Sequence, residues 1–403
     1  MKNFGLIPRL IIAIIAGILT GLYLPESLAN VLYTFTEIFG EILTYIVPLI
    51  ILAFIIPGIS ELGAKASNLL GKTVLTAYIS TIIAGIAAYL VASSLIPLIA
   101  PAGEQVAEAQ GLSPYIELEI PPIMGIMTAL VTSFIFGIGI NHLKNEENKL
   151  TLYNFMQEVR TIVQFFINRV IIPFLPVHIA GIFADMAAEG TVFRTITMFG
   201  PLFVLVIAMH ITYLMVMFSL ANRLSPKNKV LTSIKSMLPA YTTALGTISS
   251  AATIPVTLKS AKTLNVKEKI VDFVVPLGAT IHLAGSTIAL VSCAVATMIL
   301  YGEPFTLASF LPFIFMLAII MIGAPGVPGG AVMAALAPLA SILGFTESMQ
   351  GLMIALYMAQ DAFGTACNVT GDGAISIIVD YFHSDSEQEE VSTERAKSGA
   401  SGN

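Results

Sequence analysis

Charge is scarce in this sequence. Of its 403 residues only 11% are Asp, Glu, Lys or Arg, while 56% are hydrophobic and the mean hydropathy is +0.88. Soluble domains carry about 25% charged residues, so the composition excludes a water-soluble globule and describes an integral membrane protein. Cysteine is nearly absent: Cys293 and Cys367 lie in apolar segments without metal-ligand spacing. That excludes a disulfide framework and a zinc site, and both read as small core residues. No basic patch is interleaved with aromatics, which removes nucleic acid from the partners. No G-x-S-x-G, H-E-x-x-H or phosphate-binding loop occurs. The formal net charge of -6 carries little information, because several acidic residues follow His383 in a polar tail.

What the sequence does have is a series of apolar stretches long enough to span a bilayer. They are centred near residues 15, 45, 85, 130, 170, 207, 285 and 365. The first, MKNFGLIPRLIIAIIAGILTGLYLP, has the basic start and apolar run of a signal peptide. No small-x-small cleavage site leads from it into a soluble domain, so it reads as the first transmembrane helix. Lys2 and Arg9 put the N-terminus in the cytoplasm by the positive-inside rule. Lys65 and Lys72 then fall inside, and the Glu-rich 101–119 segment outside. Lys144 and Lys149 are inside, Asp185 and Glu189 outside, and Arg223, Lys227, Lys229 and Lys235 inside again.

Two further apolar stretches, 237–258 and 308–343, are interrupted midway by small, polar or proline residues. The first is flanked by Lys235 and by Lys259, Lys262, Lys267 and Lys269, so both ends belong in the cytoplasm. A re-entrant hairpin with its tip in TTALGTISSAAT, residues 242–253, satisfies that; a single span does not. The second stretch is split by GAPGVPGG at 323–330 and has no basic end. Two prolines and four glycines in eight residues cannot continue a helix unbroken, so this reads as a hairpin entering from outside. Non-helical backbone at membrane depth is tolerated where it lines a cavity or is buried in protein. Interrupted segments in corresponding positions point to the binding site of a secondary transporter. Small residues also mark close helix contacts, an alternative with most weight for the Ser249-Ser250 tip. The polar tail, 383–403, is expected to be disordered.

The stretch MIALYMAQDAFGTACNVTGD near the C-terminus carries Asp361 and Asp372, with Thr365 and Asn368 between them. Spacings of four, three and four put all four on one helix face, with the aspartates roughly 16 Å apart along the axis. An ionisable group inside a membrane span costs at least ~2.5 kcal/mol and usually marks a pathway or ligand. Two on one stripe read as a site for cations and polar solute; the alternative is a polar stripe packed against another helix. A separation of roughly 16 Å rules out a protease-like dyad, whose carboxylates must share a proton. A channel lined by the hairpin tips remains the competing reading.

The order of these features resembles the dicarboxylate/amino acid:cation symporter family, the glutamate-transporter fold. The resemblance spans nearly the whole chain. It rests on SSAATIPVT (249–257), PLGATIHLAGS (276–286), GVPGG (326–330) and QDAFGTACNVTGD (360–372). It implies an all-α polytopic membrane protein of eight transmembrane helices and two opposed re-entrant helical hairpins, built from inverted repeats. It further implies a homotrimer in the cytoplasmic (inner) membrane, with both termini cytoplasmic. An elevator mechanism is implied, with scaffold helices mainly in 1–230 and the core of a transport domain in 231–382. Ser249, Ser250 and Ala251 would hold a substrate α-carboxylate, and Gly326, Val327, Pro328 and Gly329 would close as a gate. Asp361 would take the α-ammonium, with Gly364, Thr365 and Asn368 lining the pocket. Asp372, Asn368 and the carbonyls near Gly278 and His282 would hold a sodium ion, the expected coupled cation. No organic cofactor is expected.

The departures from the family pattern matter as much. Members that carry acidic substrates place an arginine where this chain has Gly364, and arginine is suited to bidentate carboxylate recognition. Without it a dicarboxylate leaves its distal charge unpaired, so a small neutral amino acid is the expected substrate. The gap at Gly364 could admit extra side-chain volume or be filled by a neighbour. The chain looks more like the serine/threonine branch, which shares Gln360-Asp361 and Ala284. Sodium-driven acidic members have Asn-Met-Asp-Gly-Thr where this chain has His282-Leu283-Ala284-Gly285-Ser286. Ala284 removes a sodium-site carboxylate, so fewer coupled sodium ions are expected. His282 is either a proton-linked group or a hydrogen-bonded structural residue.

Overall fold

The computed structural model describes residues 6–61, 68–99, 111–145, 149–190, 192–226, 229–321 and 329–400. Among them no strand occurs, and apolar runs in which every backbone group must be satisfied internally form helices. The first half comprises α1 (Leu6–Tyr23), α2 (Glu26–Glu61), α3 (Asn68–Ile99), α4 (Ile126–Asn145), α5 (Thr151–Phe166), α6 (Ile172–Ala188) and α7 (Val192–Leu224). A π-helical turn, Ile167–Ile171, joins α5 to α6. Pro173, at the start of α6, has no N–H to donate, and the widened turn accommodates the loss.

The second half carries the interrupted elements. The first hairpin is α8 (Val230–Thr247) and α9 (Ser250–Ala261), which pack on each other. α10 (Glu268–Ile281) and α11 (Ala284–Tyr301) form one span broken at His282-Leu283. α12 (Leu307–Ile320) and α13 (Gly330–Leu343) are the arms of the second hairpin and also pack together. The tip residues Gly326, Val327 and Pro328 lie outside the described residues.

The last span differs from the continuous helix expected at 353–372. It breaks at Ala359-Gln360 into α14 (Glu347–Met358) and α15 (Asp361–Ala400). The cause is local. The Gln360 side-chain Nε2 donates to the Leu356 carbonyl at 3.1 Å, taking the acceptor that its own backbone N–H would use in a helix. That N–H turns instead to Tyr357 O at 2.8 Å. α15 continues to Ala400, so the polar segment after His383 is helical where composition predicts disorder. Propagating an existing helix avoids the cost of nucleation.

Six segments among the described residues are long and apolar enough to cross a membrane, within α2, α3, α5–α6, α7, α10–α11 and α15. α1 and α4, at the positions of the other two expected spans, are helices outside those six. The spans differ in surroundings. The apolar window in α7 is 33% buried, and Val204, Ile211 and Val216 point outward as lipid-facing side chains do. The window in α15 is 94% buried, sheathed by α3, α7, α8, α9, α10 and α11. The carboxylate-bearing helix is therefore central to the molecule.

Candidate functional site

Three chain breaks surround α15. At the first hairpin tip, Ile248 adopts the left-handed conformation (φ 50°) and its N–H closes α8 on Ala244 O at 2.8 Å. Ser249 is extended, and its Oγ accepts the Ala252 N–H at 3.2 Å as the N-cap of α9. Thr253 Oγ1 donates to Ser249 O at 2.8 Å and lies 3.0 Å from Thr247 Oγ1, tying the tip to both arms. The Ser249 hydroxyl thus serves the cap, while Ser250 is buried and Ala251 exposed in the first turn of α9, which packs against α15. Free N–H groups at such a helix end favour an anion.

The second break presents Gly329, whose N–H donates to Asp361 Oδ2 at 2.7 Å. Gly329 has φ 76°, and a Cβ there would stand 2.7 Å from Met358 Sδ, so conformation and space both demand glycine. Asp361 opens α15, where the helix dipole favours negative charge. Its Oδ1 accepts from Tyr357 Oη at 2.9 Å and from Thr365 Oγ1 at 3.5 Å. Among the described residues no lysine or arginine pairs with it, and it is 4% exposed. Buried carboxylate charge without a cation is costly, and these neutral donors offset only part of that.

The third break, at His282-Leu283, exposes the N-terminus of α11. Asn368 caps it: Oδ1 accepts from Gly285 N at 2.8 Å and Ser286 N at 3.3 Å, and Nδ2 donates to Ser286 Oγ at 2.9 Å. This close crossing needs Gly285, whose Cβ would lie 2.6 Å from Gly364 O. Gly364 itself faces the α11 backbone, with its hypothetical Cβ 3.4 Å from Ser286 N. Of the two outcomes left open at Gly364, extra substrate volume or a neighbour in its place, the main chain of α11 lies in contact with its Cβ position.

Asp372 stands on the same face of α15, against Gly278 of α10. Its Oδ1 accepts from His282 Nδ1 at 2.9 Å, with both side chains essentially inaccessible. His282 Nε2 meets Tyr213 Oη at 2.9 Å, and Tyr213 Oη lies 2.6 Å from Ser80 Oγ. A carboxylate only accepts, so His282 donates from Nδ1; the neutral ring then accepts the Tyr213 hydroxyl at Nε2, and the protonated ring donates to it. Asp372 Oδ2 is buried with no hydrogen-bond partner among the described residues. A bare buried carboxylate oxygen beside backbone is a donor atom suited to a hard cation.

Of the predicted site residues, Asp361, Thr365 and Gly329 meet directly, Asn368 meets the start of α11, and Asp372 meets His282 and Gly278. Sequence reasoning missed Tyr357, Tyr213, Ser80, and the capping role of Asn368. Tyr357 stands four residues before Asp361, a spacing that puts both on one helix face; Tyr213 and Ser80 carry no such signal.

The profile described as the sodium:dicarboxylate symporter family matches residues 6–382. The serine/threonine transporter SstT of Enterococcus faecalis is 27% identical over 402 residues, covering 92% of this chain and 90% of that one. SstT of Acinetobacter baylyi is 25% identical over 402 residues, covering 94% and 98%. SstT of Lacticaseibacillus casei is 27% identical over 409 residues, covering 94% and 89%.

Proposed function

Because this chain belongs to the sodium:dicarboxylate symporter family, and is thus a multi-pass membrane transporter rather than an enzyme, we propose that it carries a small neutral amino acid coupled to sodium. The names of its relatives make serine and threonine the first substrates to test. The observation that carries the reading is Asp361, a buried carboxylate held by Tyr357, Thr365 and the Gly329 N–H with no cation beside it. An α-ammonium supplies the missing charge. The start of α9, with Ser249, Ser250 and Ala251, supplies donors for the α-carboxylate.

Neutral substrates are favoured because Gly364 offers no guanidinium. An ammonium that reaches Asp361 Oδ2 competes with the Gly329 N–H, so binding and the position of the second tip are coupled. Gly326, Val327 and Pro328 belong to that gate. The unpartnered Asp372 Oδ2 supports a sodium ion beside Gly278, His282 and Asn368. The reading includes eight spans with two opposed hairpins, scaffold and transport domains moving as an elevator, a homotrimer, and both termini on the cytoplasmic side of the inner membrane. A proton-coupled variant is favoured by one observation, the buried Asp372–His282–Tyr213–Ser80 chain.

Thermal unfolding with each standard amino acid, with and without sodium, tests the proposal. Serine or threonine should stabilise the protein, more so with sodium, and glutamate should not. Tight glutamate binding would overturn the substrate class. Sodium-independent affinity that instead follows pH would move the coupling to protons.

A further inference from the structure

Away from α15, a cavity of about 100 Å³ opens where α2 and α6 meet the end of α11, α13 and α14. Glu37, Asp185, Glu189 and Glu347 line it, together with Tyr33 and Tyr301, and its lining contains no lysine or arginine among the described residues. The carboxylates sense one another: Glu347 lies within electrostatic reach of Glu37 and Glu41, and Asp185 of Glu37 and Glu189. An acidic cluster alone is only a solvated surface.

His178 gives this one a different character. It is 6% exposed and lines the same cavity. Its Nδ1 lies 3.1 Å from the Thr36 carbonyl, which can only accept, so Nδ1 carries the proton and, in the neutral ring, Nε2 a lone pair. No donor meets Nε2 among the described residues. Two glycines keep space beside the ring. A Cβ on Gly40 would stand 3.5 Å from Glu347 Oε2 and 4.0 Å from His178 Cε1, and one on Gly351 would stand 3.7 Å from His178 Nε2. The polar wall formed by His178 Nε2 and the carboxylates consists of acceptors, and a cleft of one charge sign concentrates the opposite ion. Thr36, Ser348 and Gln350 add neutral polar groups that can also accept, so an occupant that donates hydrogen bonds and carries positive charge fits this wall. Among the described residues no group of three or more His, Cys, Asp or Glu is placed to hold a metal ion. Tyr33 and Tyr301 add aromatic surface of the kind that attracts organic cations.

We propose that this cavity is a binding site for a small alkylammonium cation, distinct from the amino-acid site on α15. An amino acid's carboxylate is repelled by the lining, so the transported substrate is not its natural occupant. The elements around it come from both segments, 1–230 and 231–382, and on the two-domain reading a bound cation bridges them.

The test uses the full-length purified protein and 1,4-diaminobutane as probe, followed by thermal unfolding at constant ionic strength. Tetramethylammonium, which has the charge but no N–H, serves as the control. A saturable rise in melting temperature with the diamine and none with tetramethylammonium is expected. Glu347→Gln should raise the half-saturating concentration by roughly tenfold, the loss of one charge-assisted bond, and leave the response to serine unchanged. Gly40→Leu, which fills the cavity from α2, gives a second variant if the first unfolds. The proposal is overturned by no saturable diamine shift, by an equal shift with tetramethylammonium, or by unchanged half-saturation in both variants. A protein that answers to the diamine and ignores serine would refute the transport substrate and keep this site; the reverse would refute this site alone.

Discussion

Asp361 and Asp372 share a face of α15 and a buried setting, yet their surroundings are opposite. Asp361 receives donors at both oxygens, from Tyr357 and Thr365 on one side and the Gly329 N–H on the other. Asp372 receives His282 at one oxygen and, among the described residues, nothing at the other. The Asp361 donors come partly from the chain break at Gly329, so a ligand there must exchange with the Gly329 contact. The Asp372 donor comes from a closed network of side chains, so a ligand there must fit into a fixed frame. On the proposed reading, one end of the helix takes an exchangeable organic cation and the other a bare ion.

The comparison breaks most visibly at Asp361. Asp361→Asn removes the charge-assisted bond to an ammonium, about 1.5–3 kcal/mol, and should reduce serine affinity below detection by calorimetry while the protein stays folded. Unchanged affinity would remove Asp361 from the site. At the other end, Asp372→Asn should leave serine recognition itself intact and flatten its sodium dependence. The slope of log affinity against log sodium counts the ions taken up with substrate. We expect roughly one to two for the parent protein, by that linkage, and about one less for the variant. An unaltered slope would assign the sodium site elsewhere.

Tyr357→Phe sharpens the contrast by removing one neutral donor from Asp361 and leaving Asp372 untouched. Serine affinity should fall by about 1 kcal/mol, with the sodium slope unchanged; a change in slope would mean that the two ends are not separable. The smallest effect is expected from Gly364→Ala, between the two carboxylates. Helix propensity favours alanine by about 1 kcal/mol, and the tight approach to Ser286 N opposes it. The melting temperature should move by no more than a few degrees, and a collapse in stability would show that the α11–α15 crossing has no slack at all.

Much of this arrangement was legible in the residues. The period of Asp361, Thr365, Asn368 and Asp372 depends only on helix geometry, and all four do lie on α15. The interruptions at Ser249 and at 323–330 were readable because Gly, Pro and clustered Ser-Thr break helices for local reasons. The break before Asp361 was hidden. It depends on one glutamine side chain taking the carbonyl of Leu356, and nothing local distinguishes that glutamine from a helical one. The surroundings of Gly364 stayed open between two outcomes for a related reason: an absent side chain looks the same in sequence whether solvent or a neighbouring backbone replaces it.

Composition, charge asymmetry and hydrophobic period by themselves determined that this is a helical membrane protein with two interrupted hairpins and a carboxylate-bearing final helix. Those properties follow from the bilayer and the backbone, which act on each segment in turn. Only the tertiary structure decided which atoms satisfy each carboxylate. His282 meets Asp372 across 90 positions of chain, Ser286 meets Asn368 across 82, and Gly329 meets Asp361 across 32. Such contacts are set by how buried helices pack, because a polar group removed from water must take whichever partner the packing brings within reach.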